Sequence, residues 1–220
     1  MDKIEALLAK FLEDLREILK DVREVKQDEE IDRRKPFFDE VRKTLFGGRL
    51  TAGQVEGISA KLTAMEKEKF PLSWMAYLLA TSYHETAKRM LPVREGLSAS
   101  EAWRKKNLRY YPWYGRGDVQ LTWKDNYQKA DEKLGLNGEL LRNPDLALDK
   151  DVSARVIVQG MKEGWFSKGN SLASKLKSDV ATAAQFRLAR PIVNIMDKAD
   201  LIAGIAVKFQ DALMKAGYGG

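Results

Sequence analysis

The chain has 220 residues, 44% hydrophobic and 32% charged, with 6 Pro and 16 Gly. That balance suits one ordinary domain with an appendage and excludes disorder and fibrous repeats. It holds no Cys and one His, which excludes disulfides, thiolate metal sites and a multi-histidine zinc site, so neither metal nor cofactor is expected. Any catalysis rests on carboxylates, hydroxyls, amides or amines. The formal charge is +6, unevenly spread: residues 1–35 carry 9 Lys or Arg against 11 Asp or Glu, whereas residues 36–220 carry 29 against 21. A basic body attracts polyanions such as nucleic acid, anionic lipid or anionic wall polymer. No nucleic-acid-binding motif accompanies the charge, so nucleic acid is not expected as a partner. No run approaches 18 apolar residues, and the charged start from Asp2 lacks the apolar core of a signal peptide. Synthesis in the cytoplasm without a spanning helix is therefore expected.

In the first segment Ile4, Leu8, Phe11, Leu15, Ile18, Val22 and Val25 alternate spacings of four and three, a heptad period, and Leu7, Leu12 and Leu19 widen the stripe. The pattern predicts an amphipathic helix that packs on its own domain, on a partner helix or on a membrane surface through residues 4–25. The polar run 27–35 before Pro36 reads as a charged helix end or linker. It divides the chain into an added helix, 1–35, and a self-sufficient body, 36–220.

From Pro36 the pattern is overwhelmingly helical. A short helix at 37–45 is stopped by Gly47 and Gly48. Thr51 and Gln54 form a capping box opening a helix to about Lys67, and Pro71 suits the first turn of a helix apolar nearly all round, hence central, that Pro92 ends. A looser stretch containing Tyr110, Tyr111, Trp113 and Tyr114 follows. Further helices are predicted near 124–134, 150–163, 179–194 and 199–216. The fold class is mainly α with a very small β element.

Chemistry concentrates in two places. His84-Glu85-Thr86 lies near the end of the central helix, with Glu95 ten residues beyond Glu85 and past Pro92. On an unbroken helix the carboxylates would lie about 15 Å apart along the axis; a break at 90–92 lets the chain turn back so that both face one gap. Such a pair serves glycoside hydrolysis, which needs a protonated acid and an ionised partner. Glu85 is the better acid, because an apolar helix and the negative end of the helix dipole both favour its neutral form. Two Glu at this spacing are, by themselves, more often solvated surface residues. His84 reads as a side chain packing behind the acid.

The second place is Tyr114-Gly115-Arg116-Gly117-Asp118-Val119-Gln120-Leu121-Thr122-Trp123. Its alternation predicts a short extended segment burying Val119, Leu121 and Trp123, with Gln120 and Thr122 presented together on the other face. Thr122, three residues before Asp125, equally reads as a helix N-cap. Trp113 is the preferred aromatic for stacking on a sugar. Arg94 and Arg116 either act on Glu95 or hold a cleft wall.

In order, His84-Glu85-Thr86-Ala87, Pro92-Val93-Arg94-Glu95, the segment 114–122, Asn126-Tyr127 and Asn143-Pro144-Asp145 resemble glycoside hydrolase family 19, the chitinase-like lysozyme fold, particularly its bacteriophage and prophage endolysin branch. The resemblance covers about residues 36–216. It implies a two-lobed, mostly helical enzyme cleaving β-1,4 links beside N-acetylated sugars with inversion. By position Glu85 matches the general acid, Glu95 the water-activating base, and Thr122 the hydroxyl residue that holds the water. Gln120 and Asn126 match sugar-binding positions, and Asn194 a further sugar-contacting Asn. The expected substrate is peptidoglycan, cut as by a muramidase at the wall after release from the cell. Chitin is the alternative polysaccharide, and a silent wall-binding phage component is a reading from another class. The +8 body tilts the choice toward an anionic wall.

Overall fold

The computed structural model describes residues 2–194 and 196–219. Within the first helix, side chains are described at residues 5, 8–24 and 29 and from Arg34 onward, so Ile4, Leu7 and Val25 of the heptad stripe lie outside the described side chains.

Helix α1 runs from Asp2 to Thr44 with Pro36 inside it. The expected end before Pro36 and the separate helix at 37–45 are therefore one continuous helix. Proline removes one intrahelical bond, but Pro36 is on the exposed side, where water can reach the carbonyl four residues back. The opposite face is anchored by Arg34, Phe37 and Val41, all buried. Arg34 donates to Thr63 Oγ1 at 3.0 Å and to Glu66 Oε2 at 2.6 Å, and Phe37 stacks on Phe209 at 6.3 Å. What changes near residue 35 is exposure, not helicity: from residue 8 to residue 24 every side chain is exposed.

Helix α2 (Ala52–Lys67) begins at the expected capping box: Thr51 accepts from the Gln54 N–H and the Gln54 side chain accepts from the Thr51 N–H. Helix α3 (Leu72–Glu85) is buried from Leu72 through Tyr83 except at the half-buried Trp74, and is the central element. It ends at Glu85, well before Pro92. The hydroxyl of Thr86 donates to the Ser82 carbonyl at 2.7 Å and accepts from the Met90 N–H at 3.0 Å, closing a turn in which Ala87, Lys88 and Met90 are left-handed.

The rest of the chain wraps this frame. Strand β1 (Val93–Arg94) pairs antiparallel with β2 (Arg116–Gly117), Val93 opposite Gly117. Between them lies α4 (Glu101–Asn107), too short for its period to show in the sequence, capped by Ser100 accepting from the Trp103 N–H. Helices α5 (Lys124–Leu134) and α6 (Glu139–Arg142) precede a 3-10 turn at Pro144–Leu148. Helices α7 (Lys150–Glu163), α8 (Leu172–Lys175), α9 (Ala183–Leu188) and α10 (Ala199–Lys215) follow. The helix expected over 179–194 is shorter: α9 stops at Leu188, and a 3-10 turn, Arg190–Ile192, takes over at Pro191. Helix α10 packs along α3, with Tyr83 edge-on to Phe209 at 6.1 Å, and α7 packs on α2. The fold is mainly helical with one two-stranded element, as the sequence predicts. No described helix is long and apolar enough to cross a membrane.

Candidate active site

Glu85 is the last residue of α3, its side chain 18% exposed. The apolar surroundings expected from its helix are interrupted by a buried guanidinium: Arg190 Nη1 donates to Glu85 Oε1 at 3.1 Å. Arg190 Nε also donates to the Asp197 carbonyl at 2.9 Å, which fixes its direction. Nothing in the sequence near Glu85 announces a partner 105 residues away. Asn194 is exposed and donates its backbone N–H to the Arg190 carbonyl at 3.2 Å, so it belongs to the segment that serves Glu85. His84 is half-buried and lines a groove with Leu45, Lys88, Ile205 and Lys208, in keeping with a packing role.

Glu95 follows β1 directly. Its N–H donates to the Gly115 carbonyl at 2.7 Å, and the Gly115 N–H donates to Glu95 Oε2 at 2.8 Å. The Tyr110 hydroxyl donates to Oε1 at 2.6 Å. That bond, with burial, pushes the Tyr110 hydroxyl up to about 12, so it stays a donor across the ordinary pH range. A Cβ at Gly115 would sit 2.8 Å from Gln120 Oε1 and 3.1 Å from Glu95 Oε2, so any larger residue there would push on the ends of both side chains.

Arg94 and Arg116 hold the wall and do not pair with Glu95. Arg94 binds Asp145 through both terminal nitrogens at 2.7 and 2.8 Å and reaches the Tyr114 hydroxyl at 2.8 Å. Arg116 Nε donates to Asp145 at 2.7 Å, and its guanidinium lies 3.6 Å over the Tyr114 ring. Arg94 first, and Arg116 with it, hold the Asp145 carboxyl below its ordinary value.

Segment 116–123 is a tight hairpin, bridged from Arg116 to Leu121, with Gln120 left-handed at φ 53°. Val119 and Leu121 are buried as expected, but Trp123 is not: it is 44% exposed. Its φ of 75° turns it out of the alternation. Its ring leans on Tyr110, centroids 4.8 Å apart, and Arg109 lies 5.1 Å over it. Trp113 is half-buried beside Tyr127 at 5.5 Å. On Glu95's side of the fold, Trp123 is thus the better exposed indole of these two; a β-like alternation hid it from the sequence reading.

The N-cap alternative for Thr122 does not hold, since Trp123 takes the cap position with no side-chain cap bond. Thr122 Oγ1 donates to the Gln120 carbonyl at 2.6 Å, leaving the oxygen's lone pairs as acceptors. Asn126 is exposed and donates to the Thr122 carbonyl at 2.8 Å. Gln120 spends its amide donor on the Val93 carbonyl at 3.1 Å and the Gly117 carbonyl at 3.3 Å, bracing the hairpin.

One buried network joins the Glu85 side to the Glu95 side. Asp118, 1% exposed, accepts from Ser82 at 2.7 Å, from Ser153 at 2.6 Å and from Lys61 at 2.7 Å. Lys61, also 1% exposed, donates in addition to the carbonyls of Gly57 at 3.1 Å and Met90 at 2.9 Å. A buried ion pair is tolerated when both its ions are hydrogen-bonded in this way. Ser82 is one turn before Glu85, and Asp118 follows Gly117, whose strand partner is two residues before Glu95. The pair therefore braces the end of α3 against the hairpin carrying the second carboxylate. Among the described residues no cluster of acidic or histidine side chains forms a metal site.

No family model matches the chain. A stretch of 47 residues is 43% identical to the acidic 26 kDa endochitinase of Solanum lycopersicum, covering 21% of this chain and 19% of that protein. A stretch of 43 residues is 54% identical to chitinase 11 of Oryza sativa subsp. japonica, covering 20% and 16%. The matched segments thus span less than a fifth of these curated relatives. Among solved structures, chitinase C from Streptomyces griseus HUT6037 superposes with a TM-score of 0.52 at 21% identity, over 83% of this chain and 75% of its own. The chain has the mainly helical, chitinase-like fold, and it shares a short, well-matched segment with plant chitinases.

Proposed function

We propose that the chain is an inverting, endo-acting glycoside hydrolase that cleaves β-1,4 bonds of bacterial peptidoglycan, with Glu85 as general acid and Glu95 as general base. The observation that carries this reading is the placement of two carboxylates, one at the end of α3 and one just after β1, on elements braced together by one buried network. Glu85 has a guanidinium at one oxygen, whereas Glu95 accepts one neutral donor at each oxygen.

In the forward step Glu85 gives its proton to the leaving glycosidic oxygen, and Arg190 compensates the charge left behind. Glu95 retains two lone-pair positions beyond Tyr110 and Gly115. A water donating one hydrogen to Glu95 and the other to Thr122 Oγ1 has its own lone pair aimed away from both, toward the anomeric carbon. Departure and attack on opposite faces invert the centre. Trp123 supplies an exposed apolar face for a sugar ring, and Asn126 and Asn194 supply amides at the edges.

The basic body, +8 over residues 36–220, favours an anionic wall polymer over a neutral one. We place its action at the wall, after release from the cytoplasm, as in phage endolysins. The second reading is a chitinase, favoured by the proteins whose segments the chain matches. Clearing of cell-wall suspensions, measured beside reducing-end release from chitin oligomers, separates the two. NMR of the nascent product tests the mechanism: the α-anomer is expected, and the β-anomer would remove Glu95 from the role of base. Glu85→Gln should lose a hundredfold to ten-thousandfold, on the order of one acid's contribution. Glu95→Gln should lose a similar factor.

A further inference from the structure

The arm of α1 leaves a continuous apolar stripe in water. Leu8, Phe11, Leu12, Leu15, Ile18, Leu19 and Val22 are each between 41% and 61% exposed. Residues 2–33 extend roughly 48 Å at 1.5 Å per residue, ahead of the anchor at Arg34. A stripe of this length is stabilised only when another surface covers it.

Charge and period identify that surface. Helices that lie on membranes carry Lys and Arg on their polar face; here residues 5–24 hold Glu5, Glu13, Asp14, Glu17, Asp21 and Glu24 against Lys10, Arg16, Lys20 and Arg23. The polar face is net acidic and suits an anionic bilayer poorly. The strict alternation of four and three is the spacing at which helices supercoil about one another. In that register Leu8, Leu15 and Val22 take position a, Phe11 and Ile18 position d, and Leu12 and Leu19 position e. The Leu15–Ile18 pair, Leu at a with Ile at d, favours three or four strands over two, and the leucines at e widen the seam beyond what one neighbouring helix covers. Position g holds Leu7, Asp14 and Asp21. In an antiparallel bundle g faces g and aspartates meet; in a parallel one Asp14 faces Leu19 of the next helix.

We infer that residues 5–24 assemble this chain with further copies of itself into a parallel bundle of three or four arms, displaying the bodies together at one end. This goes beyond the proposed hydrolase and does not depend on it. Seven half-exposed side chains amount to roughly 600 Å² per copy, a little under the roughly 800 Å² each partner buries in a standard interface, so the assembly is expected to depend on concentration.

Light scattering on the full chain tests this, over a concentration series because assembly follows mass action. A mass three or four times 25.0 kDa is expected, and the double variant Leu15→Asp, Ile18→Asp should return it to one while the melting of the body is unchanged. The chain has no Cys, so Leu8→Cys provides a clean reporter: in a parallel bundle identical positions face one another and an interchain disulfide forms on oxidation. A monomer at every concentration would overturn the inference, as would an oligomer indifferent to the double substitution. Co-sedimentation with phosphatidylglycerol vesicles by a chain that is monomeric without them would assign the face to lipid instead. Failure of Leu8→Cys to cross-link within an oligomer would overturn the parallel arrangement.

Discussion

Replacing glycine by alanine inside a helix should have opposite consequences at two positions. In an open helix the change stabilises by about 1 kcal/mol, because glycine loses more backbone freedom on folding. Gly204 in α10 meets that condition, with nothing within 4 Å of an added Cβ. Gly57 in α2 does not: its Cβ would fall 1.8 Å from the Met90 carbonyl oxygen and 2.7 Å from the Met90 carbonyl carbon. Backbone cannot swing aside as a side chain does, so α2 or the 86–90 turn must retreat by roughly 1.5 Å to reach ordinary contact. Such a retreat stretches the 2.9 Å bond from Lys61 to the Met90 carbonyl and disturbs the one buried ion pair that braces the hairpin. Overpacking costs about 1–3 kcal/mol, and weakening a buried ion pair adds to it, since an uncompensated buried charge costs about 3–5 kcal/mol. Net destabilisation of about 2–4 kcal/mol is expected, because the helix-propensity gain of about 1 kcal/mol is the smaller effect. Urea unfolding of Gly57→Ala, Gly204→Ala and the parent gives the comparison directly. A Gly57→Ala chain as stable as Gly204→Ala would show that the close approach of α2 to the turn is not real.

Tyr110→Phe removes one of two bonds on Glu95 and should lower kcat by about tenfold or more, since a hydrogen bond to a charged group is worth about 1.5–3 kcal/mol; a kcat equal to the parent's would show that Glu95 needs no such support. Trp123→Ala should raise KM about two- to tenfold with kcat nearly unchanged, the pattern of lost uniform binding, whereas a fall in kcat alone would place Trp123 elsewhere than on the substrate. Asp145 has a folded pKa below its ordinary 3.8, so its contribution is present above about pH 4 and is lost as pH falls through the folded value. Thermal melts of Asp145→Asn should therefore vary less with pH below about 4 than those of the parent, and parallel curves would contradict the pairing with Arg94 and Arg116.

Local chemistry made much of the frame readable. The Thr51 capping box gave α2 close to its observed bounds, and the apolar run marked α3 as central although it stops at Glu85 and not at Pro92, because caps and periodicity act over a few residues. Glu85 and Glu95 stand out as candidates for the same reason, lying on either side of a chain reversal. The reversal itself is made differently, by Thr86 and three left-handed residues rather than by Pro92. Arg190, Lys61 and Asp118 were not legible, since each acquires its meaning from a partner far along the chain. Pro36 misled: a proline was read as a stop although packing of Arg34, Phe37 and Val41 carries the helix past it. Trp123 misled in the opposite way, its alternation suggesting burial where a left-handed backbone turns it outward.

The buried carboxylate of Asp118 also orders the events of biosynthesis. Its partners come from residues 61, 82 and 153, and Glu85 waits further for residue 190. A nascent chain that has emerged only as far as α5 already contains both candidate catalytic glutamates, yet lacks the Ser153 hydroxyl and the guanidinium that complete their settings. Long-range closure of this kind comes late in folding. A ribosome that stalls before α7, or a protease that removes residues 190–220, should therefore release a chain carrying both carboxylates and no hydrolytic competence. Activity, on this topology, reports that synthesis has passed residue 190.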